Sequence, residues 1–294
     1  MIFINKKDGA PKIIVLGIDG LDYYLVKKWG LKYLLQKTTN KLDLSGYKVI
    51  VTPPIWGSMM TGKIDEEIMD KWFKRCQIYG DEDNIDQKWW AKIGQNILPN
   101  SVNKWILKNF FKNHIASNIF QETCNYIVDK NEDNIFDFFK NPWTNGVPGY
   151  KWDEDFKLNK KLLSESIAGN KEQYISYLHK EYNKNKKQLI DALEENTHDF
   201  VFWYARIVDS ICHAYNIKPL KLMDYYIELN NFVGEIVKKY ADSKIYIISD
   251  HGMEKRDDGF WWHSKYSFFS SNTDENIVRP TELYNLIKKH ATVK

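Results

Sequence analysis

The stretch Ile13-Ile14-Val15-Leu16-Gly17-Ile18, running into Asp19-Gly20-Leu21-Asp22, decides how the rest of the chain is read. An unbroken apolar run of this length suits a strand buried on both faces, as in a parallel sheet, and the change to Asp-Gly marks its carboxyl end. Leu21, Tyr24, Leu25 and Trp29 then recur at helical spacing. The same grammar returns three times. Tyr47-Lys48-Val49-Ile50-Val51 ends at Thr52, Phe200 through Val208 ends at Asp209, and Lys244 through Ser249 ends at Asp250-His251-Gly252. Pro53 and Pro54 open a short helix, where proline is tolerated because the first N–H groups go unbonded anyway, and Gly62 stops it. A helix from Pro219 to Tyr240 carries Leu222, Tyr226, Leu229, Val233 and Ile236 on its inner face, and a last helix starts near Pro280. Strands alternating with helices predict an α/β fold with a mostly parallel central sheet flanked by helices.

In such sheets, sites form beyond the carboxyl ends of the strands. Asp19, Thr52, Asp209 and Asp250 therefore converge although they lie far apart in sequence. Each acid alone could be a helix cap or a turn residue. Asp209 and His213 are four residues apart, so a helical turn would put both on one face, able to share a metal. In isolation the pair reads equally as a cap and a packed histidine. Asp250-His251 offers a carboxylate and an imidazole suited to zinc or manganese, and Gly252 would give the backbone freedom to turn both inward. His263 follows Trp261-Trp262 in an aromatic loop, where packing is the plain alternative to ligation. Thr52 is the candidate nucleophile: its hydroxyl needs a base or metal for activation, and a helix N-terminus beside it would attract phosphate. A simple N-cap is the other reading. His114, His179, His198 and His290 read as structural or solvent-facing.

The 294 residues suffice for one large domain, here 1–294, with 63–196 as a helical, aromatic-rich insert or cap. Helical patterns at 86–98 and 101–111, a turn-rich loop at 141–150 and a polar helix from Lys171 to Glu195 fill that middle. Lys184, Lys186 and Lys187 form its solvated face. With 42 basic and 39 acidic residues, nothing points to nucleic acid as a partner. Cys76, Cys124 and Cys212 show neither a metal spacing nor a disulfide framework, and no run approaches membrane-spanning length. A cytoplasmic protein with no membrane partner is expected. Oligomeric state has no signature in the sequence.

Taken in order, these segments resemble the alkaline phosphatase superfamily, and within it the type I phosphodiesterase and nucleotide pyrophosphatase branch. Val15 to Asp22 is similar to the first metal motif. Thr52-Pro53-Pro54-Ile55-Trp56-Gly57-Ser58-Met59-Met60-Thr61-Gly62 is similar to the nucleophile motif, in which the leading threonine attacks phosphorus. Asp209 to His213, Ser249 to Met253, and His263-Ser264 with Tyr266, Phe268 and Ser270 resemble the remaining ligand motifs. The resemblance covers roughly 12–62 and 199–290. It implies two divalent ions, zinc by family habit with manganese compatible with the same ligands. Asp209, His213 and His263 would hold one, and Asp19, Asp250 and His251, with Thr52 beside them, the other. The implied chemistry is phosphoester hydrolysis of a small-molecule substrate, a nucleotide among the candidates, through a phosphothreonine intermediate. After Gly62 the chain departs from the branch, reading Lys63-Ile64-Asp65-Glu66 where a proline, histidine and glycine stretch is common. The cysteine motif of the sulfatases is absent.

Three functions compete at this point. The first is a metal-dependent phosphodiesterase, with Trp72, Trp89, Trp90, Trp105 and Trp143 packing the insert or stacking on substrate. The second is a phosphomonoesterase or phosphoryl transferase, against which Thr52 counts, since the transferring mutases favour serine. The third is a catalytically inactive metal-bound binding module, which retention of Thr52 beside six presumed ligands disfavours.

Overall fold

The computed structural model describes residues 11–79, 133–151, 158–159, 161–163, 171–214, 217–257 and 261–291. In chain order its elements are β1 (Ile13–Ile18), α1 (Tyr23–Lys28), α2 (Lys32–Leu35), β2 (Thr38–Asp43), α3 (Thr52–Thr61) and α4 (Glu66–Tyr79). After a 3-10 turn (Ile135–Phe138) come β3 (Pro142–Thr144), α5 (Lys171–Glu195), β4 (Phe200–Ala205), α6 (Ile207–Ala214) and α7 (Pro219–Lys239). The described chain ends with β5 (Lys244–Ile248), β6 (Met253–Lys255), β7 (Trp261–His263), β8 (Tyr266–Ser271) and α8 (Glu282–His290).

Six strands form one mixed, mostly parallel sheet in the order β2-β8-β5-β1-β4-β3, and β6 pairs with β7 separately. β1 lies between β4 and β5, parallel to both, with Gly17 opposite Tyr204 on one side and Ile248 on the other. β8 runs antiparallel to β5 and to β2. Every residue of β1 and β4 is buried. Alternate residues feed two separate cores, as the two-residue period of a strand requires. Ile14, Leu16, Ile18, Val201 and Trp203 pack with α5, α6 and α7, whereas Ile13, Val15, Phe200, Phe202 and Tyr204 pack with α3 and α8. The fold is thus an α/β sandwich of helices on both faces of the sheet. No described helix is long and apolar enough to cross a membrane.

Several expectations meet their match here. α3 starts at Thr52 with prolines in its first positions and stops at Gly62, whose φ of 77° is the left-handed conformation that glycine takes without strain. In α7, Leu222, Tyr226, Leu229, Val233 and Ile236 are all buried, and in α5 so are Tyr174, Leu178, Leu189 and Leu193. Others are corrected. Tyr47 to Val51 is not a strand: Tyr47 and Val49 are drawn into the core below α3, while the sheet position goes to Thr38–Asp43 on the edge beside β8. The run from Phe200 stops at Ala205, and Ile207 already begins α6, so Asp209 sits in a helix rather than at a strand end. In α1 the buried residue is Val26, and Tyr24 is half exposed. The aromatic loop before His263 is β7, and the turn-rich loop contains β3. The expected helices at 86–98 and 101–111, with Trp89, Trp90, Trp105 and His114, lie outside the described residues.

Candidate metal centre

β1, β4 and β5 deliver their carboxyl ends side by side, and the residues that follow gather there. Asp19 continues β1, with its N–H bonded to Ala205 O of β4 at 2.9 Å. Gly20 has φ of 72°, and a Cβ on it would meet the Asp209 backbone at 3.0 Å, so β1 can turn away while α6 closes over it. Asp209 and His213 are one turn apart on α6, with His213 Nε2 3.0 Å from Asp209 Oδ1. His263, from β7, places its Nε2 2.8 Å from His213 Nε2 and 3.4 Å from Asp209 Oδ1.

Asp250 and His251 form the turn after β5, and both are fully buried. His251 Nε2 lies 3.4 Å from Asp19 Oδ1, 3.3 Å from Asp250 Oδ2 and 3.9 Å from Asp209 Oδ1. The same nitrogen is 3.4 Å from the hydroxyl of Thr52, the first residue of α3. All seven residues singled out in the sequence therefore meet in one place. Two triads within it have one atom from each residue close enough to share an ion: Asp209, His213 and His263, and Asp19, Asp209 and His251. Asp209 belongs to both. Asp250 stands beside the second, against His251.

The ring orientations suit ligation. His263 donates from Nδ1 to Ile50 O at 2.9 Å, and His251 from Nδ1 to Gly252 O at 3.2 Å. Since a carbonyl can only accept, Nδ1 carries the proton of each neutral ring and Nε2 faces the cluster, offering its lone pair once deprotonated. The rings of His251 and His263 stack at 3.7 Å, which fixes both.

Asp19 Oδ1 and both oxygens of Asp250 are buried without a hydrogen-bond partner, and Asp209 Oδ1 is met only by imidazole nitrogens, at 3.0 Å from His213 and 3.4 Å from His263. Burial, reinforced by the charges of Asp250 and Asp209, raises Asp19 well above the usual carboxylate range. Burial and Asp209 likewise raise Asp250 to about 7. Burial would raise Asp209 as well, but His213 and His263 hold it well below the ordinary range. His251 is lowered, first by burial and then by the charge of His263. Orphaned carboxylate oxygens facing imidazole lone pairs cost free energy unless a cation compensates them, and a divalent ion reverses the protonation preferences of the whole group. The donor set fits zinc or manganese.

Supporting residues escaped the sequence reading. Tyr204 donates its hydroxyl to Asp19 Oδ2 at 2.6 Å. Asp22 caps α1 through Leu25 N and also accepts from Met253 N at 3.2 Å and Tyr266 OH at 2.8 Å. Ser249 Oγ donates to His251 O at 2.6 Å, and Ser264 Oγ accepts from Gly252 N at 3.1 Å. Gly252 is needed for a reason other than backbone freedom. It is not among the glycines with positive φ, but a Cβ there would come within 2.5 Å of Asp22 Oδ2 and 2.7 Å of Ser264 Oγ. The recurring Asp three residues after Asp19 was the one available signal for this clamp. A phenol inside the apolar run of β4 gave none.

Among the remaining histidines, His179 bonds Tyr225 at 3.0 Å and His198 faces Glu195 at 3.2 Å, while His290 pairs with Glu275. Each of these three has a partner of its own away from the cluster. The family model described as type I phosphodiesterase / nucleotide pyrophosphatase matches residues 13–286. No curated protein matches the chain. Among solved structures, a mutant of TAB5 alkaline phosphatase with magnesium bound in its M3 site is similar at 13% identity and a TM-score of 0.39, covering 98% of this chain and 100% of that one.

Proposed function

This chain belongs to the type I phosphodiesterase / nucleotide pyrophosphatase family of hydrolases, and from that premise we propose that it cleaves phosphodiesters with Thr52 as nucleophile and two divalent ions, zinc ahead of manganese. The observation that carries the reading is the Thr52 hydroxyl, 3.4 Å from His251 Nε2, at the mouth of a cluster of orphaned carboxylates and imidazole lone pairs. Asp209, His213 and His263 would hold one ion. Asp19, Asp250 and His251 would hold the other, beside Thr52. When bound, such ions polarise the phosphoryl oxygens, lower the hydroxyl pKa and stabilise the leaving oxygen.

The chain's own residues supply position. Thr52 starts α3, so the positive end of the helix dipole lies where a phosphoryl group would sit. Trp56, one turn further on, is fully buried and locks the helix against the sheet. Thr52 Oγ forms a bond to phosphorus as the bond to the leaving alcohol breaks; the hydroxyl proton is released and the alcohol takes one up. Water then cleaves the phosphothreonine ester, freeing the phosphomonoester and restoring the threonine hydroxyl. The reading places this work in the cytoplasm, in keeping with widely separated cysteines, of which Cys212 is a buried free thiol.

The test is elemental analysis of bound metal, with turnover of bis-p-nitrophenyl phosphate beside p-nitrophenyl phosphate, in the wild type and Thr52→Ala. Two metals in both proteins, with diester turnover lower by about 10³-fold or more in the variant, is the expected result. Turnover of the monoester alone would overturn the diester assignment. Undiminished turnover in the variant would remove Thr52 as nucleophile.

A further inference from the structure

We propose that Tyr204 is a positioning residue that makes Asp19 a one-oxygen ligand. This rests on the metal-centre reading above. Tyr204 is buried in β4, with its hydroxyl 2.6 Å from Asp19 Oδ2. A phenol is protonated at neutral pH, so it donates to that oxygen and occupies it. The other oxygen, Oδ1, has no hydrogen-bond partner and faces His251 Nε2 at 3.4 Å. The two oxygens of one carboxylate are thereby given different work. Oδ2 is tied to the protein, and Oδ1 is turned toward the ion.

Tyr204 is itself held with unusual care. Asn145, just beyond β3, accepts from Tyr204 N at 2.8 Å and donates to Tyr204 O at 2.9 Å. A side chain thus extends the β3 ladder by one step, at the residue that needs fixing. The ring meets Trp56 edge to face at 5.5 Å, and Trp56 belongs to the helix that begins with Thr52. One tyrosine therefore sets Asp19 relative to the nucleophile's helix. Outer partners that orient a ligand in this way typically account for 10–100-fold in metal affinity.

The experiment is calorimetric titration of metal-free protein with Zn2+ and separately with Mn2+, comparing wild type, Tyr204→Phe and Tyr246→Phe. Tyr204→Phe keeps the ring and removes only the hydroxyl. Tyr246→Phe removes another buried phenol bond, to Glu275 at 2.5 Å and to none of the cluster residues, and serves as the control for stability loss alone. The expected result is that one of two binding events weakens by about 10–100-fold in Tyr204→Phe and neither in Tyr246→Phe. Diester turnover in Tyr204→Phe should then recover as metal is raised to saturation. Unchanged affinity in Tyr204→Phe, with two events as in wild type, would overturn the positioning role and leave the metal centre standing. Equal weakening in both variants would mark the effect as loss of stability and also overturn it. No metal bound by the wild type would sink both readings together.

Discussion

The two ends of β5 hold the same kinds of side chain and treat them oppositely. At its start, Glu275 accepts from Tyr246 OH at 2.5 Å, Thr273 Oγ1 at 3.2 Å, Lys244 Nζ at 3.4 Å and Lys289 Nζ at 3.3 Å, and it also pairs with His290. Burial alone would raise this carboxylate, but Tyr246 and His290 bring it down to about 2. At its finish, both buried oxygens of Asp250 lack a hydrogen-bond partner, with His251 Nε2 3.3 Å from Oδ2. Carboxylate, imidazole and phenol are present at both ends, so composition does not distinguish them. Donors per oxygen do. A carboxylate saturated by the protein ties strands to helices, whereas one left short of donors in a dry pocket takes up a proton or a cation.

The sharpest way to break this comparison is Asp209→Asn, which alters the one residue common to both candidate triads. Metal affinity should fall by more than about 100-fold and diester turnover should drop to the background of the assay. Binding at wild-type strength would mean that the orphaned oxygens are not a cage.

A second effect concerns pH. Asp250 titrates at about 7 in the folded chain against an ordinary 3.8, so the metal-free fold holds its proton more tightly than the unfolded chain does. That contribution to stability is full below about pH 4 and is lost as pH rises through 7. Melting of metal-free protein should drop by several degrees between pH 5 and pH 8, and added zinc should abolish the drop. Glu275 has the opposite sign: its stabilisation is full above its ordinary 4.5 and fades as pH falls toward 2.

The smallest effect is expected at the satisfied end. Glu275→Gln should cost about 1–3 kcal/mol in denaturant unfolding and remove part of the acid-side loss, with kcat and metal content unchanged. A change in metal content would show that the two ends are not independent.

How much of this was legible depended on period and burial. β1, β4 and β5 are central and covered on both faces, so their apolar runs announced them. β2 and β8 are the antiparallel side of the sheet, and their polar members, such as Asn40 and Ser270, bond to loops and helices rather than follow an apolar run. Tyr47 to Val51 carried a strand's alternation because Tyr47 and Val49 face a core, yet its backbone serves the site instead, with Ile50 O receiving His263. The cluster was readable because each of its members closes a motif. Its supports were not, because Tyr204 and Asp22 act through partners 185 and 231 positions away.

That separation has a consequence for how the molecule comes into being. Among the described residues, β1 has β4 and β5 as its strand neighbours, and Ser249, which bonds Leu21, lies 228 positions further on. A ribosome adding about 5–20 residues per second needs on the order of ten seconds or more to cover that distance. For most of that interval β1, whose six residues are all buried, has neither strand partner available, since β4 begins only at Phe200 and β5 at Lys244. The β4–β1–β5 centre is therefore a late event of assembly, and only the antiparallel side, which waits for β8, can pair later still.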